Sequence, residues 1–168
     1  MEPSQLLLGC VILVAGLCVG SFLNVVITRL PVMLMQQWRA EARAALERPP
    51  DPPGERFNIA FPASMCPACR AAIKWHDNLP LIGWLKRRGR CAHCHARISP
   101  QYPLVELAGG AIALASLALY GLTLEALFIA GACLALLAMA VIDLRTQLLP
   151  DILTLPLLVA MLVYLYVS

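Results

Sequence analysis

From Leu6 to Leu30 the chain is almost uninterruptedly apolar, and no other feature limits its folds as much. Such a run is long enough to cross the roughly 30 Å hydrocarbon core of a bilayer as a helix. A cleaved signal peptide is the competing reading. The first five residues, Met1-Glu2-Pro3-Ser4-Gln5, lack the positive charge a signal peptide carries, and the apolar stretch is about twice a usual signal core. We therefore read an uncleaved membrane helix over 1–30. Three further apolar segments follow, Leu104 to Tyr120, Leu124 to Ile142 and Ile152 to Val167, separated by the short turns Gly121-Leu122-Thr123 and Leu144 to Asp151. The expected fold is mainly α, with four predicted membrane helices around one polar insert. No internal repeat is evident.

The insert, residues 31–103, carries most of the charge. Eleven of the thirteen Lys and Arg fall between Pro31 and Pro103 against five acids, a local excess of six. A net charge of +3 for the whole chain gives no reason to expect nucleic-acid binding. Basic loops stay on the cytoplasmic side of a membrane, and Arg29 and Arg39 lie near enough to the first helix to count. The insert is thus placed in the cytoplasm and the N-terminus outside. Counting crossings from there brings Asp143 back to the cytoplasmic face. Pro31 is expected to end the first helix. Beyond it Met35, Trp38, Ala42 and Ala45 recur at helical spacing, which predicts an amphipathic helix over Val32 to Arg48. That helix either lies on the membrane surface or packs on the insert. Pro49, Pro50, Pro52, Pro53 and Gly54 then read as a linker.

Cys10, Cys18 and Cys133 sit in apolar runs, where a lone cysteine behaves as a small hydrophobe. The other four form two hooks, Cys66-Pro-Ala-Cys69 and Cys91-Ala-His-Cys94. Two C-x-x-C hooks about twenty residues apart match a tetrahedral structural zinc site, so Cys66, Cys69, Cys91 and Cys94 are the expected ligands of a small zinc-ribbon-like insert. Two disulfides, or empty reduced thiols, are the alternatives, and a reducing cytoplasm favours metal. Between the hooks, His76-Asp77 reads as a turn or surface pair more readily than as an acid–base couple. The run Lys86-Arg87-Arg88-Gly89-Arg90 suits anionic lipid head groups or a charged substrate.

Asp143 closes a uniformly apolar stretch, and an acid at the edge of a membrane helix is a functional candidate. The plain alternative is a boundary residue paired with Arg145. Asp151, after Pro150, suits a helix N-cap. Glu106, near the start of the second membrane helix, is a third acid at the same face. Two carboxylates sharing one proton are what aspartic proteolysis requires, so Asp151 and Glu106 are candidate supporting groups. In Gly20-Ser21-Phe22-Leu23-Asn24, helix packing is the expected role, with Asn24 needing a hydrogen-bond partner in lipid.

Taken together, Gly20-Ser-Phe-Leu-Asn-Val-Val-Ile-Thr-Arg-Leu-Pro31, the two Cys hooks, Asn78-Leu-Pro-Leu81, Tyr102-Pro-Leu-Val-Glu-Leu107 and Ile142-Asp-Leu-Arg-Thr-Gln-Leu-Leu-Pro-Asp151 resemble the type IV prepilin peptidases, or leader peptidase/N-methyltransferases. The resemblance implies a polytopic aspartic endopeptidase of the bacterial inner membrane. Such enzymes serve type IV pilus and type II secretion systems. They remove the leader of prepilins or pseudopilins and N-methylate the new terminus with S-adenosylmethionine. It assigns Asp143 as the first catalytic aspartate, Asp151 a supporting position, and the four cysteines to a cytoplasmic zinc insert. The family's second catalytic aspartate sits in a Gly-x-Gly-Asp motif, which this sequence lacks. The chain is therefore expected to be a truncated or N-terminal part, 104–168 carrying the first half of the protease site, with a C-terminal half bearing Gly-x-Gly-Asp as partner and no cleavage by this piece alone. The alternatives are a membrane-anchored zinc module that binds prepilin or secretion components without catalysis, and a minimal protease in which Asp143 pairs with Asp151 or Glu106.

Overall fold

The computed structural model describes residues 2–49 and 56–167. Its helices are α1 (Pro3–Ala45), α2 (Ile82–Lys86), α3 (Gln101–Tyr120), α4 (Leu124–Thr146) and α5 (Asp151–Val167), with a 3-10 turn at Trp75–Asp77. The helical fold with four apolar segments and one insert is as expected. Three of the helices, α1, α3 and α4, have the length and composition to cross a membrane, while α5 has only 17 residues. Among the described residues there is no strand, only the isolated bridges Met65–Ala72 and Arg90–Arg97 in the insert. Most of the proposed linker, from Pro50 on, lies outside the described residues.

The expected break at Pro31 does not occur. Helix α1 runs through it for 43 residues, and Pro31 is buried. A proline inside a helix removes one backbone hydrogen bond and costs roughly 3 kcal/mol in an isolated helix. Here Val26, Ile27 and Leu30 pack before the proline, and Leu34 after it packs against the same core. That shared burial outweighs the lost bond. The segment expected as a separate amphipathic helix is the distal part of α1, and its Met35 and Trp38 are exposed rather than packed on the insert.

Helices α1 and α3 meet at backbone distance. A Cβ placed on Gly16 would lie 2.7 Å from the Ala113 Cβ and the Gly109 carbonyl oxygen, and one on Gly20 would lie 2.7 Å from the Glu106 Cα. On the facing side, a Cβ on Gly109 would lie 2.6 Å from the Gly16 carbonyl oxygen. In lipid, where apolar side chains gain nothing by leaving solvent, such close approach is a main source of helix association. Asn24, 2% exposed, donates to the Tyr102 carbonyl at 3.0 Å and so ties α1 to the first turn of α3.

Gly121, at φ 67°, ends α3, and the Thr123 hydroxyl caps α4 by accepting from the Ala126 N–H at 3.1 Å. At the other end of α4, Gln147 turns left-handed at φ 53° and its N–H closes on the Asp143 carbonyl at 2.8 Å. Helix α5 returns antiparallel. Tyr164 donates to Glu125 at 2.8 Å and stacks on Phe128 with ring centroids 4.7 Å apart. The buried core of Val26, Ile27, Leu30, Val105, Ala138 and Ile142 lies at the insert end of the bundle.

Candidate functional site

The insert is organised by its sulfurs. The Cys66 and Cys94 Sγ atoms are 3.8 Å apart, those of Cys69 and Cys91 are 3.9 Å apart, and all four lie within 4.8 Å of one another. A tetrahedron with metal–sulfur bonds of about 2.3 Å has edges of about 3.8 Å. A disulfide needs about 2.05 Å. The four thiols therefore fit one zinc ion, with the first cysteine of each hook set against the second of the other. Four thiolates leave no open position, so zinc would supply folding energy here rather than a reactive water.

The hooks repeat one local structure. The N–H of Cys66 bonds the Ala71 carbonyl and that of Cys91 bonds the Ala96 carbonyl, each at 2.9 Å. Arg70 and His95, each just after its hook, both sit at φ 56°. The repeat is legible in sequence as C-x-x-C followed by a long polar residue and Ala, although no repeat was expected. Backbone N–H groups of Cys94 and His93 point at the Cys91 sulfur and hold that thiol down to about 6, from a usual 9.0. One ligand is thereby prepared as thiolate at neutral pH.

Asp77 belongs to the insert's frame. Arg87 grips it with two bonds of 3.1 and 2.7 Å, Lys86 adds one at 3.4 Å, and His76 lies 3.7 Å away. The Arg87 guanidinium holds the Asp77 carboxyl down at about 2. Asp77 is thus committed to Arg87 and Lys86, and His76-Asp77 forms part of a turn, in keeping with the turn reading, although the Asp77 side chain is buried rather than at the surface.

Two polar side chains couple insert to bundle. Glu106, 7% exposed on α3, accepts the Leu81 N–H at 2.7 Å at the entry to α2. Ser21 of α1 also hydrogen-bonds that carboxylate. From α1, Arg29 donates to the carbonyls of Asn58 at 2.9 Å and Pro62 at 2.6 Å, with its guanidinium over the Phe57 ring. Glu106 is thus engaged as a structural acceptor. Sequence alone gave no sign of its partner, which lies 25 residues away in an irregular loop.

Asp143 is placed differently. It is exposed in the last turn of α4, directly after the fully buried Ile142, at the insert end of the bundle. Among the described residues no side-chain hydrogen bond or ion pair engages it, from Arg145 or from any other group. Asp151 is exposed in the first turn of α5. It is not the N-cap that was expected, since the Leu153 and Thr154 N–H groups close on the Pro150 carbonyl instead. Asp143 does not hydrogen-bond with Asp151 or Glu106.

Fold and site together define a polytopic membrane protein with a four-cysteine cluster that could hold a metal and two exposed, unengaged acids, Asp143 and Asp151, at the α4–α5 turn. The family model for the bacterial peptidase A24 N-terminal domain matches residues 14–120, and the chain belongs to that family. The matched segment takes in α1 from Val14, the insert and α3; Asp143 lies beyond it. Similar curated proteins are the prepilin leader peptidase/N-methyltransferases of Stutzerimonas stutzeri, 50% identical over 150 residues, and of Burkholderia pseudomallei strain 1026b, 49% identical over 148. Each alignment covers 87% of this chain, and 50% and 48% of the respective relative. The relative from Klebsiella pneumoniae is 44% identical over 158 residues, covering 93% of this chain and 61% of its own length. The chain thus spans about half the length of the relatives it matches. No solved structure matches it significantly.

Proposed function

We infer that this chain supplies the N-terminal half of a membrane aspartic endopeptidase that removes the leader of type IV prepilins or pseudopilins. The same enzyme would then N-methylate the new terminus with S-adenosylmethionine. The observation that carries the reading is the contrast among its acids: Glu106 and Asp77 are bonded, whereas Asp143 and Asp151 are exposed and unengaged, and of these Asp143 directly follows the fully buried Ile142 at the end of a helix long enough to cross a membrane. Membership of the family and the names of its relatives support the substrate class.

In this reading Asp143 is the first catalytic aspartate. Its partner is the aspartate of a Gly-x-Gly-Asp segment outside this sequence. With one carboxyl protonated and the other ionised, the pair activates a water and protonates the leaving amine. Asp143 alone has nothing to hold the opposite protonation state, so this chain does not cleave by itself. The cysteine insert, on the cytoplasmic side of the inner membrane, has its fold set by zinc and borders the end where a leader would enter. Asp151 supports the α4–α5 turn. The methyl group comes from S-adenosylmethionine, whose site is assigned to no residue here.

The test is prepilin cleavage in membranes containing this chain alone or with a co-expressed Gly-x-Gly-Asp-bearing C-terminal half. Cleavage only with both parts supports the reading. Cleavage by the chain alone overturns the need for a partner and makes it a minimal protease. No cleavage in either, with zinc bound and prepilin retained, replaces the enzyme reading with a zinc module that binds without chemistry.

A further inference from the structure

The basic run after α2 is not one uniform charged surface. Arg87 is committed to Asp77 by two bonds, and Lys86 reaches the same carboxylate at 3.4 Å. Arg88 and Arg90 are exposed, and among the described residues neither guanidinium meets an acceptor. Local backbone geometry splays them. Arg88 at φ 51° and Gly89 at φ 66° reverse the chain, and the Gly89 carbonyl takes the Ile98 N–H at 2.8 Å. A side chain at Gly89 would collide with the Trp84 ring, whose indole N–H is fixed to the Ile98 carbonyl at 3.3 Å. Here lies an open cleft of about 490 Å³ lined by Lys86, Arg87, Arg88, Arg90 and His95, with Cys91 and Ala92 of the second hook in its wall.

Beside this cleft, α2 exposes Ile82 at 60% and Leu85 at 63%, one helical turn apart. Trp75, before α2, is 78% exposed. Leu81, which opens the helix, is pinned to Glu106 of α3 at 2.7 Å, so α2 is held at the end of a membrane-crossing helix rather than projected away from it. Unpaired cations beside exposed apolar side chains, held at the insert end of helices long and apolar enough to cross a membrane, complement one surface chemistry. That surface has phosphate outside and acyl chain beneath.

We propose that Arg88 and Arg90, with Ile82 and Leu85 as the apolar part, form a docking site for the phosphate head group of an anionic phospholipid of the membrane this chain crosses. The site seats the metal insert against the bilayer. A free phosphate would satisfy the two arginines and leave Ile82 and Leu85 without a role, and for that reason the lipid is the occupant chosen.

The experiment uses the full zinc-loaded chain in neutral detergent. It is titrated with dioleoylphosphatidylglycerol, with dioleoylphosphatidylcholine, or with inorganic phosphate, and bound ligand is counted by native mass spectrometry. The phosphatidylglycerol should bind more tightly than phosphatidylcholine. Arg88→Gln with Arg90→Gln should weaken it about twenty-five-fold, since each cation at an anionic surface is worth about a factor of five. Ile82→Ser with Leu85→Ser should weaken phosphatidylglycerol while leaving inorganic phosphate unchanged. Zinc stoichiometry, measured on every variant, shows that the insert remains folded. Equal binding of the two lipids, an unchanged affinity in the arginine variant, or inorganic phosphate binding as tightly as phosphatidylglycerol would each overturn the proposal. A variant that loses zinc is replaced by Arg88→Lys with Arg90→Lys, which should keep most of the preference.

Discussion

The helix bundle and the cysteine insert reach order by opposite routes. Where α1 crosses α3, the contact is backbone on backbone, made by removing side chains at Gly16, Gly20 and Gly109. Among the described residues of the insert there is no strand ladder, little buried apolar side chain, and two hooks facing each other across sulfur. The bundle is held by its own backbone contacts, whereas the insert is arranged around four thiols that could hold an ion. The difference also sorts the acids. Glu106, on the boundary between the regions, is spent on joining them, whereas Asp143 and Asp151 beyond it are left over.

Removing the ion should break the comparison most sharply. Zinc sites of this type contribute on the order of 10–16 kcal/mol of binding free energy to folding. Cys66→Ser, or a strong chelator, should therefore open backbone amides across 64–98 to hydrogen exchange while the helical circular dichroism of the bundle persists. Loss of helix in parallel would mean that the two regions do not fold separately. The converse change is Gly20→Leu, which puts a side chain where even a Cβ would lie 2.8 Å from the Val105 carbonyl oxygen. A cost of about 1–3 kcal/mol is expected for such overpacking. It should be read as destabilisation in micelle unfolding with zinc content unchanged.

A smaller effect is expected for Asn24→Ala, which deletes the bond to Tyr102 but leaves the glycine contact. Interhelical hydrogen bonds in membranes are worth roughly 0.6–2 kcal/mol. Unfolding in micelles, compared with Gly20→Leu, tests whether steric fit outranks polar bonding at this crossing. The smallest effect concerns protons. The Cys91 thiol is held at about 6 against a usual 9.0, so its thiolate is favoured in the folded hook. That contribution is complete above pH 9.0 and is lost as pH falls through about 6. Zinc content after dialysis should therefore fall as pH drops through about 6. Zinc retained undiminished well below that pH would contradict the Cys91 geometry.

Much of this was legible in the residues. Apolar run length gave the three spanning helices and α5, because hydrocarbon thickness and helix rise leave little freedom. C-x-x-C spacing gave the four thiols that cluster, since two hooks of this kind bring their sulfurs to one place. Pro31 misled because a local rule about lost hydrogen bonds says nothing of a core shared by Ile27, Leu30 and Leu34 across the proline. Gly16 escaped notice although Gly16-Leu-Cys-Val-Gly20 carries the small-xxx-small pattern, and only the facing Gly109 makes that pattern informative. The duplicated hooks had a signal in Cys-Arg-Ala and Cys-His-Ala. The roles of Glu106 and Arg29 had none, because their partners are backbone groups of irregular loops.

The central claim is that Asp143 is the reacting acid and Glu106 the joining one. The direct test is the initial rate of prepilin cleavage by this chain together with a Gly-x-Gly-Asp-bearing C-terminal half, comparing Asp143→Asn with Glu106→Gln. Asp143→Asn should abolish cleavage in a protein that still binds zinc. Glu106→Gln, which keeps an oxygen for the Leu81 N–H, should remain active. Cleavage that survives Asp143→Asn but is lost in folded Glu106→Gln would contradict the account.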